Sequence, residues 1–182
     1  MSNLTDNAII QIFLPILQAG LIADGFTTTI VKQSNQPTMQ GINTDPTCYF
    51  FKVANKRYGF LGTYDKWNSD TSQMQHFENQ FIESTWQVAC LALQNPTTPN
   101  QYTASDVVND AASIMQSDST RYILNQSGIG ILRVTDVSNP YFFDDRDNFE
   151  ASPTFDFTLV YENIRTNPGI IVDSFVVNIN AV

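Results

Sequence analysis

SQMQHFENQFIESTWQVACLALQ, residues 72 to 94, is the longest patterned segment of the chain, and its assignment sets the order of helices and strands around it. Its apolar side chains recur at the spacing of a helix with one buried stripe, so the segment predicts a long helix. Asn95 and Pro96 follow it and would end that helix. The apolar stripe consists of Met74, Phe77, Phe81, Ile82, Val88, Ala89 and Leu93.

Amide side chains dominate another side of the same predicted helix, with Glu83 as the one formal charge. This side is either a solvated helix face or a subunit interface, because interfaces are depleted of charged residues and accept amides. Both interpretations remain open at this point. The stripe consists of Gln73, His76, Gln80, Glu83, Gln87, Cys90 and Gln94.

Further helices and strands follow from capping residues and composition. The first segment predicts a helix from a cap at Thr5 to a stop at Gly25, with Pro15 kinking it or delaying its start. A capping signature predicts a helix over residues 103–115, and a shorter one over 117–128 stops at Gly128. Segments rich in β-branched and aromatic residues predict strands, which cover 26–33, 47–53, 57–67, 128–138, 154–166 and 169–182.

This order of elements segregates the helices from the strands. It predicts an α+β fold with a mostly antiparallel sheet flanked by helices, in a single domain over residues 1–182. Phe155, Phe157, Leu159 and Tyr161 alternate with less apolar residues, so one face of that strand packs against the core. A turn at Asn167-Pro168-Gly169 would join the strand to residues 169–182 as a long antiparallel hairpin.

The charge of the chain excludes a surface made for nucleic-acid backbones. The net charge is −9, whereas phosphate binding requires clustered Lys and Arg. Five of the nine basic residues fall between positions 32 and 66, which is either a solvated sheet face or a docking patch for an acidic partner. The apolar run at 8–17 is too short to cross a bilayer, so we expect no membrane partner and no export.

The candidate catalytic groups do not form a known motif. His76 is the single histidine, and Cys90 on the same predicted helix would lie about 21 Å away along its axis. Cys48 and Cys90 are too few for a disulfide framework or a zinc site, which favours reduced thiols. We therefore expect no cofactor, no metal and no enzyme.

The acidic loop NPYFFDDRDNFEASP, residues 139–153, also fails as a calcium site. In an EF-hand loop starting at Asp145, Phe149 would take a ligand position and Glu150 the position that requires glycine. A pair of carboxylates between Asp144 and Glu150 could still serve a small acidic hydrolase. A hydrated loop is the simpler interpretation.

Several segments, taken in order, resemble the tail-terminator (neck) proteins of tailed bacteriophages. They are QSNQPTMQG at 33–41, the strand after it, ENQFIESTWQVACLALQ, GIGILRV, the acidic loop and FDFTLVYE. The resemblance implies a virion protein, assembled in the host cytoplasm, that forms a ring, commonly a hexamer, at the head-proximal end of the tail. Such a ring stops tail-tube polymerisation and joins the tail to the head. Residues 95–127 form an additional segment that a minimal tail terminator lacks.

The resemblance also implies the partners and the contact residues. The partners are further copies of the chain, the tail-tube protein, a neck connector or head-completion protein, and the sheath where one exists, while DNA passes through the lumen without specific binding. No catalytic residue is implied. Two loops would make the contacts, through Asn35, Gln36, Pro37, Met39, Gln40, Tyr141, Phe142, Phe143, Asp144, Asp145, Asp147 and Phe149. A soluble adaptor that binds one protein through the basic segment is the alternative.

Overall fold

The computed structural model describes residues 4–33, 45–92, 101–143 and 149–168. The helices in these residues are α1 (Asp6–Ala23), α2 (Ala104–Gln116) and α3 (Asp118–Gln126). The strands are β1 (Ile30–Gln33), β2 (Thr47–Asn68), β3 (Gln73–Leu91), β4 (Ile129–Val134), β5 (Tyr141–Phe143), β6 (Phe149–Ala151) and β7 (Thr154–Pro168).

Five of the strands form one sheet in the order β1-β2-β3-β7-β4. β1 pairs with β2 in parallel, and the other three pairs are antiparallel. β5 and β6 form a separate two-stranded antiparallel sheet between β4 and β7. The predicted α+β class, with a mostly antiparallel sheet and flanking helices, is confirmed.

The core lies between the three helices and one face of the sheet. Phe13 of α1 sits at its centre, with ring centroids 4.9 Å from Phe50, 5.4 Å from Trp86 and 5.3 Å from Phe157. Alternate residues of β3 and β7 are buried on this helix-covered face, including the predicted set from Phe155 to Tyr161. The opposite face, which we call the open face, has no helix over it in the described residues.

Side chains of α1 fix it against the sheet and against α2. Gln18 accepts a hydrogen bond from the Val31 N–H at 2.9 Å and donates one to the Thr29 carbonyl at 2.8 Å, so it occupies the outer edge of β1. Lys52 of β2 lies 2.5 Å from the Asp6 carboxylate. A Cβ on Gly20 would lie 2.7 Å from Ile114, which shows how closely α1 and α2 approach.

The prediction of a helix over residues 72–94 is wrong, because residues 73–91 form β3. Ile82, Ser84, Trp86, Val88 and Cys90 are buried with a period of two, and the buried Ser84 hides that alternation in the sequence. The amide stripe is also wrong as a single face. In β3, Gln73, Glu83 and Gln87 point to the open face, whereas His76, Gln80 and Cys90 point the other way. Gln94 lies outside the described residues.

Other boundaries differ in smaller ways. Residues 47–53 and 57–67 are not two strands but parts of β2, because both pair with β3 across two bulges. β1 begins at Ile30 and not at residue 26, and β4 ends at Val134. The predicted hairpin partner of β7, residues 169–182, lies outside the described residues. The capped helices α1, α2 and α3 are confirmed, and Pro15 does not delay the start of α1.

The length of α1 contradicts the expectation that the first apolar segment is too short to cross a bilayer. The apolar run at 8–17 belongs to an 18-residue helix, which by length and composition alone could cross a bilayer. Helices in the core of folded proteins can have the same length and apolar composition. In this fold five α1 residues, Ile9, Ile10, Phe13, Leu17 and Leu21, are buried in the core.

Candidate assembly surface

The sequence-predicted contact residues are only partly described by the structure. Those outside the described residues are Asn35, Gln36, Pro37, Met39, Gln40, Asp144, Asp145 and Asp147. The other four lie in the β5–β6 hairpin, where Phe143 pairs with Phe149 across the strands. The β5–β6 hairpin lies within the predicted acidic loop and places Tyr141, Phe142, Phe143 and Phe149 on two paired strands. Their role as contacts stays a prediction.

The feature that sequence reasoning missed is a long three-stranded extension of the sheet. It consists of residues 58–68 of β2, 73–81 of β3 and 162–168 of β7, and we call it the β-arm. It begins where the core ends, at Ile82 and Tyr161, and none of its described side chains is buried. Nine residues of β3 at about 3.4 Å each carry the β-arm roughly 30 Å beyond the core.

The β-arm exposes an unusual amount of apolar side chain. Phe60 is fully exposed, and the side chains of Tyr58 and Trp67 are more than half exposed. Isolated apolar residues on a surface are normal, but a group on one projecting ribbon indicates an interaction site. Seven large apolar residues of the β-arm are exposed: Tyr58, Phe60, Leu61, Tyr64, Trp67, Met74 and Phe81.

Cross-strand pairs organise these side chains on the open face. Tyr58 lies opposite Phe81, and Tyr64 lies opposite Phe77 with stacked rings at 5.0 Å and an interplanar angle of 6°. Asn79 lies between the two pairs and donates a 2.6 Å hydrogen bond to the Glu162 carboxylate on β7. These contacts give the exposed face a fixed shape before any partner binds.

The other face of the β-arm is mixed in character. Trp67 lies opposite Met74 near the tip. His76 Nδ1 is 2.7 Å from the Asp65 carboxylate, and His76 Nε2 is 4.0 Å from that of Glu78. His76 therefore makes a hydrogen bond to Asp65 on the arm and is far from Cys90, which lies 14 residues along the same strand.

A bulge interrupts β2 in the middle of the β-arm. Tyr58 and Gly62 pair with Phe81 and Asn79, so residues 59–61 face the single residue Gln80. Gly59 adopts φ +74°, which suits glycine, and its carbonyl accepts a 3.3 Å hydrogen bond from Gln80 Nε2. The bulge changes the direction of β2 and turns the Phe60 side chain outward, where it is fully exposed.

The outer edge of β2 is unpaired in the described residues beyond Phe50. β1 covers only residues 47–50, so residues 51–68 present a free sheet edge. The Cys90 N–H donates to Pro153 at the β7 side, so even-numbered β3 residues bond to β7 and their β2 partners point away from β3. The β2 residues whose N–H and C=O therefore face outward are Lys52, Asn55, Arg57, Thr63, Asp65 and Trp67.

β2 is also basic in an acidic protein. Its four basic residues and one acidic residue give a net charge of +3, so the remaining chain, at −9 overall, carries −12. Lys52 is held by Asp6 and lies 5.8 Å from the Trp86 ring centroid. The other basic residues of β2, Lys56, Arg57 and Lys66, lie on or beside the β-arm and are exposed.

A catalytic or metal-binding arrangement is not visible in the described stretches. They contain no group of three or more His, Cys, Asp or Glu residues that could hold a metal ion. Cys48 lies opposite Cys90 in the core and not near His76. The surface described above is suited to binding other proteins through backbone and side-chain contacts.

Comparison with known proteins identifies the family. The model of the family described as E217 gateway protein gp29 matches residues 8–169. The chain belongs to this family. A search of curated proteins found no match. Membership confirms a phage structural protein of the head-tail junction and a family that is not a known enzyme family. The resemblance is confirmed in its coarser part, since the gateway family is related to tail terminators but not identical to them.

Proposed function

We propose that this gateway-family chain forms a closed ring at the head-tail junction of a phage, and that the β-arm joins each copy to the next. The observation that carries the proposal is the outer edge of β2, which is rich in aromatic residues and has no partner strand among the described residues beyond Phe50. Exposed sheet edges readily accept a further strand, and natural proteins keep long apolar ones covered. In a closed ring, the β-arm of each copy would be covered by the neighbouring copy.

The contact between copies is head-to-tail. The edge of β2 in one copy packs against a different surface of the next, and such heterologous contacts close into a ring when the rotation allows. Charge favours this arrangement, because β2 carries +3 while the rest of each copy carries −12. Aromatic side chains such as Tyr58 and Phe81 would supply the buried contact area.

The finer proposal is a hexamer that also ends tail-tube growth. The tip of the β-arm and the β5–β6 hairpin lie at opposite ends of the sheet, since β7 begins beside the hairpin and ends in the arm. A ring built this way presents two different rims. One rim would bind the tail-tube protein, and the other the neck connector or head-completion protein; a sheath, where present, would bind outside.

The self-assembly proposal is tested by blocking the β2 edge. Thr63→Pro removes an outward N–H that β3 does not use, so the hairpin should form while strand addition at that edge is lost. Thr63→Val keeps the N–H and serves as the matched control. Light scattering after gel filtration should show a closed oligomer for the wild type and for Thr63→Val, and a monomer for Thr63→Pro. Equal oligomers from all three chains would overturn the edge contact.

The terminator proposal needs a separate measurement. Purified chain is added to polymerising tail-tube protein of the same phage, and tube lengths are measured by electron microscopy. The wild type should shorten the tubes and decorate one end, whereas Thr63→Pro should not. Unchanged tube lengths with the oligomeric wild type would reject tube termination and leave the ring in place.

An adaptor for a single acidic protein is the second candidate, because Lys56 and Arg57 are exposed on a basic strand. Charge reversal at both positions separates the two functions. An adaptor would lose its partner and remain a monomer throughout. A ring component would instead show slower assembly with a weaker dependence on salt.

A further inference from the structure

Cys48 and Cys90 form a thiol pair at the base of the β2–β3 hairpin, and the gateway role does not use it. They lie directly opposite each other on the two antiparallel strands. Both side chains are buried, with exposures of 1% and 0%. They face the helix-covered side, where α1 packs on the sheet.

The hydrogen-bond pattern fixes the kind of pair that they form. The Cys90 N–H donates to the Pro153 carbonyl at 3.2 Å, so the backbone of Cys90 points towards β7 and not towards β2. Cys48 and Cys90 are therefore a non-hydrogen-bonded pair, the type with the closer approach, about 4.5 Å between Cα atoms. That separation falls in the range of a disulfide.

The two thiols also interact before any oxidation. A hydrogen bond to Cys90 is the main cause that raises the pKa of Cys48, followed by burial and by the charge of Cys90. A raised pKa keeps the thiolate scarce, so attack on an oxidant is slow while the fold is closed. Oxidation of the pair should therefore be slow while the fold is closed.

We propose that Cys48 and Cys90 are an oxidative modification site that a small-molecule disulfide, such as glutathione disulfide, converts to a cross-strand disulfide. One thiolate attacks the glutathione disulfide and releases one glutathione. The second thiolate then attacks the protein sulfur of the mixed disulfide and releases the other glutathione. Both cysteines are oxidised, one glutathione disulfide is reduced to two thiols, and those two thiols carry the two protons that the cysteines give up.

The bond would fix the register of β2 and β3 in the core. It can form only when residue 48 stands opposite residue 90, so it joins the two strands at the end of the hairpin that is far from the β-arm. A virion protein passes from a reducing cell to an oxidising medium, which is where such a bond would persist. The geometry itself does not depend on the ring proposed above.

The test compares the disulfide in the folded and unfolded chain. Wild-type protein is equilibrated with glutathione redox buffers in native solution and in denaturing urea, then alkylated and weighed without reduction. A disulfide that suits the fold stabilises it by about 2 to 4 kcal/mol. By linkage, the equilibrium constant for disulfide formation with glutathione disulfide should be about 30-fold to 900-fold larger in the folded chain than in the unfolded chain. An equal or smaller constant in the folded chain would overturn the proposal.

Peptide mapping identifies the bond. Trypsin separates residues 33–52 from residues 67–121, and the oxidised native chain should yield these two peptides joined. Cys48→Ala and Cys90→Ala serve as controls, in which no joined peptide forms and the mass does not fall by two hydrogen atoms. Stable glutathione adducts or dimers between chains in place of the joined peptides would also count against the site.

Discussion

At the scale of single residues, the open face of the β-arm depends on one glycine. A Cβ on Gly62 would lie 2.0 Å from Asn79 Oδ1, so Gly62→Ala must displace that side chain and break its 2.6 Å hydrogen bond to Glu162. We expect a loss of about 1 kcal/mol in the free energy of unfolding, measured with urea.

Gly130→Ala is the matched control for this change. Its Cβ would meet only the Val160 carbonyl at 3.8 Å, which is ordinary contact, so the strand should be unharmed or slightly stabilised. In the double variant Gly62→Ala with Asn79→Ala the clash is absent, and its stability should match that of Asn79→Ala alone. If Gly62→Ala is as stable as the wild type, Asn79 does not fix this face.

Asp110 gives a prediction that depends on pH. Burial is the main cause that raises the pKa of its carboxyl. The charge of Asp24 and a hydrogen bond between Asp110 and Asp24 raise that pKa further. Because the folded pKa exceeds the unfolded one, the folded chain binds the proton more tightly, and this group disfavours folding at neutral pH. Asp110→Asn should therefore raise Tm near neutral pH and lose that advantage as pH falls towards about 4.

Thermal unfolding followed by circular dichroism across this pH range measures the effect. Asp136→Asn, which removes the same charge from an exposed position, controls for the change in net charge. A gain in Tm from Asp136→Asn equal to that from Asp110→Asn, at every pH, would assign the effect to net charge and not to the Asp110 environment.

At the scale of elements, the helices were predictable and the longest strands were not. Thr103 shows why the helices were predictable. Its hydroxyl accepts a hydrogen bond from the Asp106 N–H at 3.1 Å, and the Asp106 carboxylate accepts one from the Thr103 N–H at 2.9 Å. Such a capping box is read directly from adjacent residues. Local signals of this kind survive without knowledge of the tertiary structure.

β3 was mistaken for a helix because its two halves meet different surroundings. From Ile82 to Cys90 it alternates against the core, while from Gln73 to Phe81 it runs through the solvent-exposed β-arm. Apolar residues of the arm, such as Phe77 and Phe81, fall on the open face and fill the gaps of the period-two pattern. The cluster of Phe, Ile, Thr, Trp and Val around residue 86 was the available strand signal.

The β-arm should be separable from the rest of the fold. Because no described side chain between residues 59 and 80 is buried, replacing them with Asn-Gly joins Tyr58 to Phe81 through a two-residue turn and leaves the core whole. We expect the same helical signal and a free energy of unfolding within about 1 kcal/mol of the wild type. The shortened chain should be a monomer by light scattering; an oligomer would place the contact elsewhere.

At the scale of the whole molecule, a single core predicts a single unfolding transition. Phe13 contacts β2, β3 and β7 at once, so α1 cannot leave without opening the sheet. In Trp67→Phe the buried Trp86 is the remaining tryptophan, and its fluorescence should follow the same urea transition as the helical signal. Two separate midpoints would contradict the expectation of one domain over residues 1–182.

The candidate surface was the least predictable part from the sequence. The sequence places five of the nine basic residues between positions 32 and 66, but the role of this segment depends on a strand edge with no partner in the described residues. Only the register of β2 with β3 reveals which backbone groups of that edge point outward. The predicted loop contacts, from Asn35 to Gln40 and around Asp145, remain predictions. A phage structural role could be predicted because family resemblance spreads over many positions and does not need a correct helix or strand assignment.

Gln18 caps the short part of one sheet edge and leaves the long part of the same edge open. Its amide pairs with the Thr29 carbonyl and the Val31 N–H at the outer edge of β1, whereas the adjoining edge of β2 over residues 51–68 has no partner strand in the described residues. On this side of the sheet, aggregation of the isolated subunit by strand addition should therefore start at β2 and not at β1. Gln18→Leu would leave the two β1 groups unpaired and extend the open edge from β2 to β1, so filaments, visible by microscopy and thioflavin staining, should form more readily than from the wild type.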